Sequence, residues 1–120
     1  MKYRTMDRRI FDEEHEMFRD SVRSFFKNEV QPHSERWQEQ GIVDREAFLK
    51  AGEQGLLMMW ADEEYGGAGV SDFRYEQILI EENAIHGDVG FFCWLHSRLV
   101  GHYIGELGTA EQKARWLPDC

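Results

Sequence analysis

Only two prolines, at positions 32 and 118, interrupt a chain of 120 residues, and most of its glycines fall in short stretches between periodic segments. Proline removes a helical hydrogen bond and clashes with the preceding turn. Long proline-free stretches whose apolar residues recur at helical spacing therefore specify helix. The chain is expected to be all-α, a single helical-bundle domain over residues 1–120 with about five or six helices. Its 42% hydrophobic and 31% charged residues exclude a disordered or fibrous chain.

The periodicity places the helices. Phe11, Phe18, Val22, Phe25, Phe26 and Val30 form one stripe of a first helix, capped by Asp12 with Glu13 and Glu14 in its first turn. Gln31-Pro32 predicts a break or kink, followed by a short helix from Ser34 to Gln40 closed by Gly41. Asp44 caps a further helix to about Gln54, with Ala47, Phe48 and Ala51 inward and Gly55 just past its end. Asp62-Glu63-Glu64-Tyr65-Gly66-Gly67-Ala68-Gly69 reads as a loop without regular structure. Ser71 or Asp72 caps a helix to about Ile85, and residues 89–107 follow as a helix apolar around most of its circumference, which predicts a central position. Thr109-Ala110-Glu111-Gln112 matches a capping box and opens a last helix.

Several chemistries are disfavoured. With 14 Lys plus Arg against 23 Asp plus Glu, the formal charge of -9 repels phosphate backbones, so nucleic acid is not an expected partner. No apolar run is long enough for a membrane span, and Met1 to Met6 lack the apolar core of a signal peptide, so a cytoplasmic location is expected. Cys93 and Cys120 imply no disulfide framework, and Cys93 between Phe92 and Trp94 reads as an inert buried thiol. Glu81, Glu82 and His86 occur once and at the wrong spacing for a di-iron helix pair, and Cys93 with His96 lacks a second ligand pair, so no metal site is assigned. The glycine loop has no following Lys-Ser/Thr and carries Glu63 and Glu64, which argues against a phosphate cradle. His96, Ser97 and Arg98, in the middle of the apolar run, must reach an edge or find partners, because an unpaired buried charge costs several kcal/mol.

Two motifs carry a resemblance. Gly55-Leu56-Leu57 leading to Asp62-Glu63-Glu64-Tyr65-Gly66-Gly67-Ala68-Gly69, and Gly108-Thr109-Ala110-Glu111-Gln112-Lys113-Ala114-Arg115-Trp116-Leu117-Pro118, resemble signatures of the acyl-CoA dehydrogenase N-terminal helical domain. Asp62 stands where that family has proline, and Trp116 where it has tyrosine. Ile10 to Arg19 and Val30-Gln31-Pro32-His33 look most like the long-chain branch.

The resemblance implies a longer flavoprotein, with a middle β-domain and a C-terminal helical domain absent from this chain, usually assembled as a homotetramer. It implies α,β-dehydrogenation of acyl-CoA thioesters of medium or long chain, with an electron-transfer flavoprotein as electron acceptor. FAD is held mainly by the absent domains, and the catalytic glutamate lies in the C-terminal one, so no catalytic or cofactor residue maps here. The part carried to this chain is a wall of the acyl-chain pocket, at Phe91, Phe92, Leu95 and Leu99, with Phe91 and Leu95 one turn apart nearest the blind end. Acyl-CoA oxidases and flavin-dependent monooxygenases share such a domain and are the alternatives within the resemblance. A non-catalytic helical interaction module is the alternative outside it.

Overall fold

The computed structural model describes residues 8–120, and these form six α-helices with no strand among them. The opening stretch read above for a signal peptide, Met1 to Met6, lies outside the described residues. Helix α1, Glu13–Phe25, starts at Asp12, whose backbone N–H donates to His15 Nδ1 at 2.9 Å. The far nitrogen of His15 lies 2.8 Å from Asp72 Oδ2, so one buried imidazole joins the start of α1 to the residue that caps α4. Val22, Phe25, Phe26 and Val30 are buried, as the stripe predicts.

At Gln31-Pro32 the structure corrects the expected break. Residues Phe26–Val30 form a wide π turn that runs straight into α2, Gln31–Gln40, and the Gln31 N–H reaches back five residues to the Phe26 carbonyl. Pro32 cannot donate to a carbonyl four residues back. The extra residue in the turn sets it at the start of a new α segment, where no donor is required. Gly41 then closes the helix with φ 77°, a left-handed conformation that glycine adopts without strain.

Helix α3, Arg45–Glu53, follows its Asp44 cap and buries Ala47 and Ala51. Leu56, Met58, Met59 and Ala61 thread under the helices, and the acidic glycine loop holds one short 3₁₀ turn, Glu63–Tyr65, where no regular structure is expected from sequence. Helix α4, Phe73–His86, packs chiefly on α1 and contributes Ile78 and Leu79 to the core. Its Glu82 is fully buried and accepts hydrogen bonds from Arg19 at 3.1 Å and from Arg23 at 2.9 and 3.1 Å. This pairing, not a metal, accounts for an acidic residue on the inner face of α4.

The last third departs most from expectation. The chain does not become helical at Val89. Asp88 turns it, its Oδ1 accepting from Gly90 N–H at 2.7 Å and its carbonyl from Phe91 N–H at 3.0 Å. Helix begins only at Cys93, passes through a second wide π turn at Leu95–Val100, and continues as α5, Gly101–Leu107. Thr109 then opens α6, Ala110–Trp116, through the expected capping box, Gln112 N–H to Thr109 Oγ1 at 3.2 Å and Thr109 N–H to Gln112 Oε1 at 2.9 Å. No described helix is long and apolar enough to cross a membrane.

Candidate functional site

The segment from Cys93 to Leu107 is not central, and the reason lies in which side chains are small. Cys93, Ser97 and Gly101 are the buried residues, and they let the helix lie close on the core. A Cβ on Gly101 would stand 2.7 Å from Met58 Sδ, and one on Gly105 would stand 2.5 Å from the Trp60 ring. Close approach through small residues turns the bulky side chains outward. Phe92 is 44% exposed, Leu95 41% and Leu99 41%, with Val100, Tyr103 and Leu107 also open. Apolarity all round reflects small residues on the packed side and large ones on the other, not burial on every side.

Of the four residues assigned to the acyl-chain wall, the structure leaves three exposed. Leu95 and Leu99, four residues apart, are exposed on the helix, and Phe92 is exposed just ahead of it. Phe91 is not, being fully buried with its ring centroid 4.7 Å from Phe48, 6.0 Å from Phe25 and 6.1 Å from Phe26. It sits in the Asp88 turn ahead of the helix, so it is not one helical turn below Leu95. Further along, Tyr103, Ile104, Leu107, Gly108, Gln112 and Trp116 line an open groove of about 420 Å³ between α5 and α6.

His96, Ser97 and Arg98 find neighbours, while the buried Trp94 Nε1 and His102 Nε2 have no hydrogen-bond partner among the described residues. Ser97, fully buried, has its hydroxyl 3.0 Å from His96 Nδ1, and the Arg98 guanidinium lies 5.2 Å from the Phe73 ring centroid. Burial pushes the Cys93 thiol up to about 12, which fits an inert thiol. Among the described residues no three His, Cys, Asp or Glu side chains converge as a metal site. The glycine loop spends its amides on itself: Gly66 N–H on Glu63, Gly67 N–H on Asp62, Gly69 N–H on Ala61 and Val70 N–H on Met59. Gly67 is required there because a Cβ would stand 2.0 Å from the Ala61 carbonyl oxygen. With these amides bonded and Glu63 and Glu64 beside them, the loop reads as a packing device and not as a phosphate cradle.

One buried group escaped the sequence reading. Glu76 on α4 is buried and neither carboxylate oxygen has a hydrogen-bond partner. Burial raises its pKa, and Arg98 opposes the shift. A carboxyl whose folded pKa is raised is tolerated best while protonated, so its destabilising effect grows as pH rises above the usual carboxylate range. Glu76→Met is therefore expected to stabilise the fold by about 1–3 kcal/mol near neutral pH and by little near about pH 4. Urea unfolding at the two pH values measures this, and an equal change at both refutes the account.

Comparison with known proteins fits this geometry. Residues 12–120 match the family model described as acyl-CoA dehydrogenase, N-terminal domain. The long-chain specific acyl-CoA dehydrogenase of Mus musculus mitochondria is 44% identical over 111 residues, covering 92% of this chain and 26% of that protein. The acyl-CoA dehydrogenase of Geobacillus kaustophilus superposes with a TM-score of 0.88 at 41% identity, covering 95% of this chain and 30% of the other. The glutaryl-CoA dehydrogenase of Mycobacterium smegmatis superposes at 0.80 with 31% identity, covering 92% and 28%. This chain thus spans about a quarter of the length of the curated relatives it matches. Nearly all of its own length is accounted for by that quarter, and the chain belongs to the acyl-CoA dehydrogenase family, as its N-terminal helical domain.

Proposed function

We propose that this chain is the substrate-side domain of an FAD-dependent acyl-CoA dehydrogenase that removes hydrogens from the α and β carbons of medium- or long-chain acyl-CoA thioesters. The observation that carries the reading is the exposure of Leu95 and Leu99, on a helix that small residues seat on the core, and of Phe92 just ahead of it. Such a surface removes an alkyl chain from water at about 0.8 kcal/mol per methylene. Excluding water there also strengthens the electrostatics of the reacting end. Phe91 packs inward on Phe48, whose ring also lies 6.1 Å from His96 on the same segment.

The glycine loop is not assigned to a flavin diphosphate, since its Gly66, Gly67 and Gly69 amides are bonded to Glu63, Asp62 and Ala61. By family resemblance, we place FAD, which supplies the electron acceptor, and the proton-removing carboxylate in parts of the protein outside this chain. The same holds for a homotetramer and for delivery of electrons to an electron-transfer flavoprotein. In the protein that carries these parts, Leu95→Glu is expected to lower kcat/KM for hexadecanoyl-CoA about a hundredfold more than for butanoyl-CoA, because a carboxylate opposes the alkyl terminus. Steady-state rates on both thioesters check this, and an equal fall for the two overturns the wall.

A further inference from the structure

The two wide turns have different origins. The first precedes Pro32, whose missing donor explains it, whereas no proline stands near the second, at Leu95–Val100. What stands there is Trp60. Its indole Nε1–H donates to the Ser97 carbonyl at 2.6 Å, inside the wide turn. Its ring stacks on His102 with centroids 4.0 Å apart and planes at 26°, and its far edge occupies the space a side chain at Gly105 would need. One side chain thus bridges residues 97, 102 and 105, from within the π turn to the end of the α segment beyond it.

The sequence shows what the turn accomplishes. Small residues recur every fourth position, at Cys93, Ser97, Gly101 and Gly105, and large apolar ones likewise at Leu95, Leu99, Tyr103 and Leu107. A continuous α-helix advances about 100° per residue, so a four-residue repeat drifts about 40° each step and about 120° over the twelve residues. One additional residue in the winding removes about 100° of that drift. The Gly101 N–H accordingly reaches back five residues, to the His96 carbonyl. The small row then stays on the core and the large row stays in line on the open side.

We propose that Trp60 is a specificity-determining positioning residue: by holding the wide turn at Leu95–Val100, it keeps Leu99 in line with Leu95 and so sets the acyl-chain length the wall accepts. This rests on the wall reading above and adds to it a residue outside the wall.

The test uses the full-length protein loaded with FAD, with Trp60→Phe, which keeps a ring against His102 but loses the N–H, and Gly105→Ala, which crowds the indole without touching its N–H. Both variants are expected to shift the ratio of kcat/KM for hexadecanoyl-CoA over butanoyl-CoA by about tenfold in the same direction, with kcat on butanoyl-CoA unchanged. A crystal structure of Trp60→Phe is expected to show Gly101 N–H bonded four residues back, to Ser97. An unchanged five-residue bond overturns the role of Trp60 in holding the turn. A changed bond with an unchanged chain-length ratio overturns its role in specificity. Wild-type protein inactive on every thioester overturns the proposed function itself, a failure seen before any variant is compared.

Discussion

Glu82→Ala is expected to lower the unfolding free energy by about 3–5 kcal/mol, the largest loss for any single change on α4. Glu82 is fully buried and holds Arg19 and Arg23 through three hydrogen bonds of 2.9 to 3.1 Å. Alanine leaves Arg19, itself buried on α1, facing a void, with Glu81 at 3.0 Å, Glu16 at 3.7 Å and the Phe11 ring at 5.0 Å as its remaining partners among the described residues. The wild-type pair also gives a pH signature. Burial pushes the Glu82 carboxyl up, but hydrogen bonds and charge from Arg23 and Arg19 outweigh it and hold the group below its ordinary value. Neighbouring Glu81 is held at about 2, first by its hydrogen bond from Arg8 and then by Gln77 and Arg19, against burial. A carboxyl with a lowered folded pKa contributes stability above its unfolded pKa and loses it as pH falls through the folded one. Wild-type stability is therefore expected to decline from the usual carboxylate range down toward about pH 2, and Glu82→Ala to decline less steeply over that interval. Chemical denaturation across that interval checks both statements, and a loss under about 1 kcal/mol at neutral pH would mean that the arginines rehydrate freely.

Phe91→Ala is expected to cost about 3–5 kcal/mol of stability while leaving the ratio of long-chain to short-chain turnover where it was. Its ring is enclosed by Phe25, Phe26 and Phe48, and its removal opens a cavity that the rings around it cannot collapse into. Thermal unfolding of the variant measures the first half. Rates on hexadecanoyl- and butanoyl-CoA in the full-length enzyme measure the second. A small loss of stability joined to a selective loss of long-chain turnover would return Phe91 to the pocket wall.

Much of the fold could be read from residues alone because its punctuation is local. Asp12, Asp44, Asp72 and Thr109 each stand immediately before a helix, and Gly41 and Gly55 take the left-handed turns expected after α2 and α3. The two wide turns were not legible by a 3.6-residue template, since a single extra residue leaves the apolar pattern helical while changing its pitch. The four-residue repeat of small and large side chains after Cys93 carries that information, and it is a signal only when residue size is read beside polarity. Phe91 was misplaced for a related reason. Asp88 draws the chain into a turn through side-chain bonds to Gly90 and to Ser34, a residue more than fifty positions earlier in sequence, which no local pattern reveals. Glu76 gives no signal in sequence, because a glutamate at helical spacing looks like solvated surface until the packing of α4 is known.

The seating of the Cys93–Leu107 segment through its small residues leaves its large side chains partly open to solvent, with Leu95 and Leu99 each 41% exposed. If the proposed wall holds, exchanges at Phe92, Leu95 or Leu99 among Phe, Leu, Ile and Met would cost less in folding than exchanges at the enclosed Phe91, and a scaffold of this kind could diversify its diet one outward residue at a time.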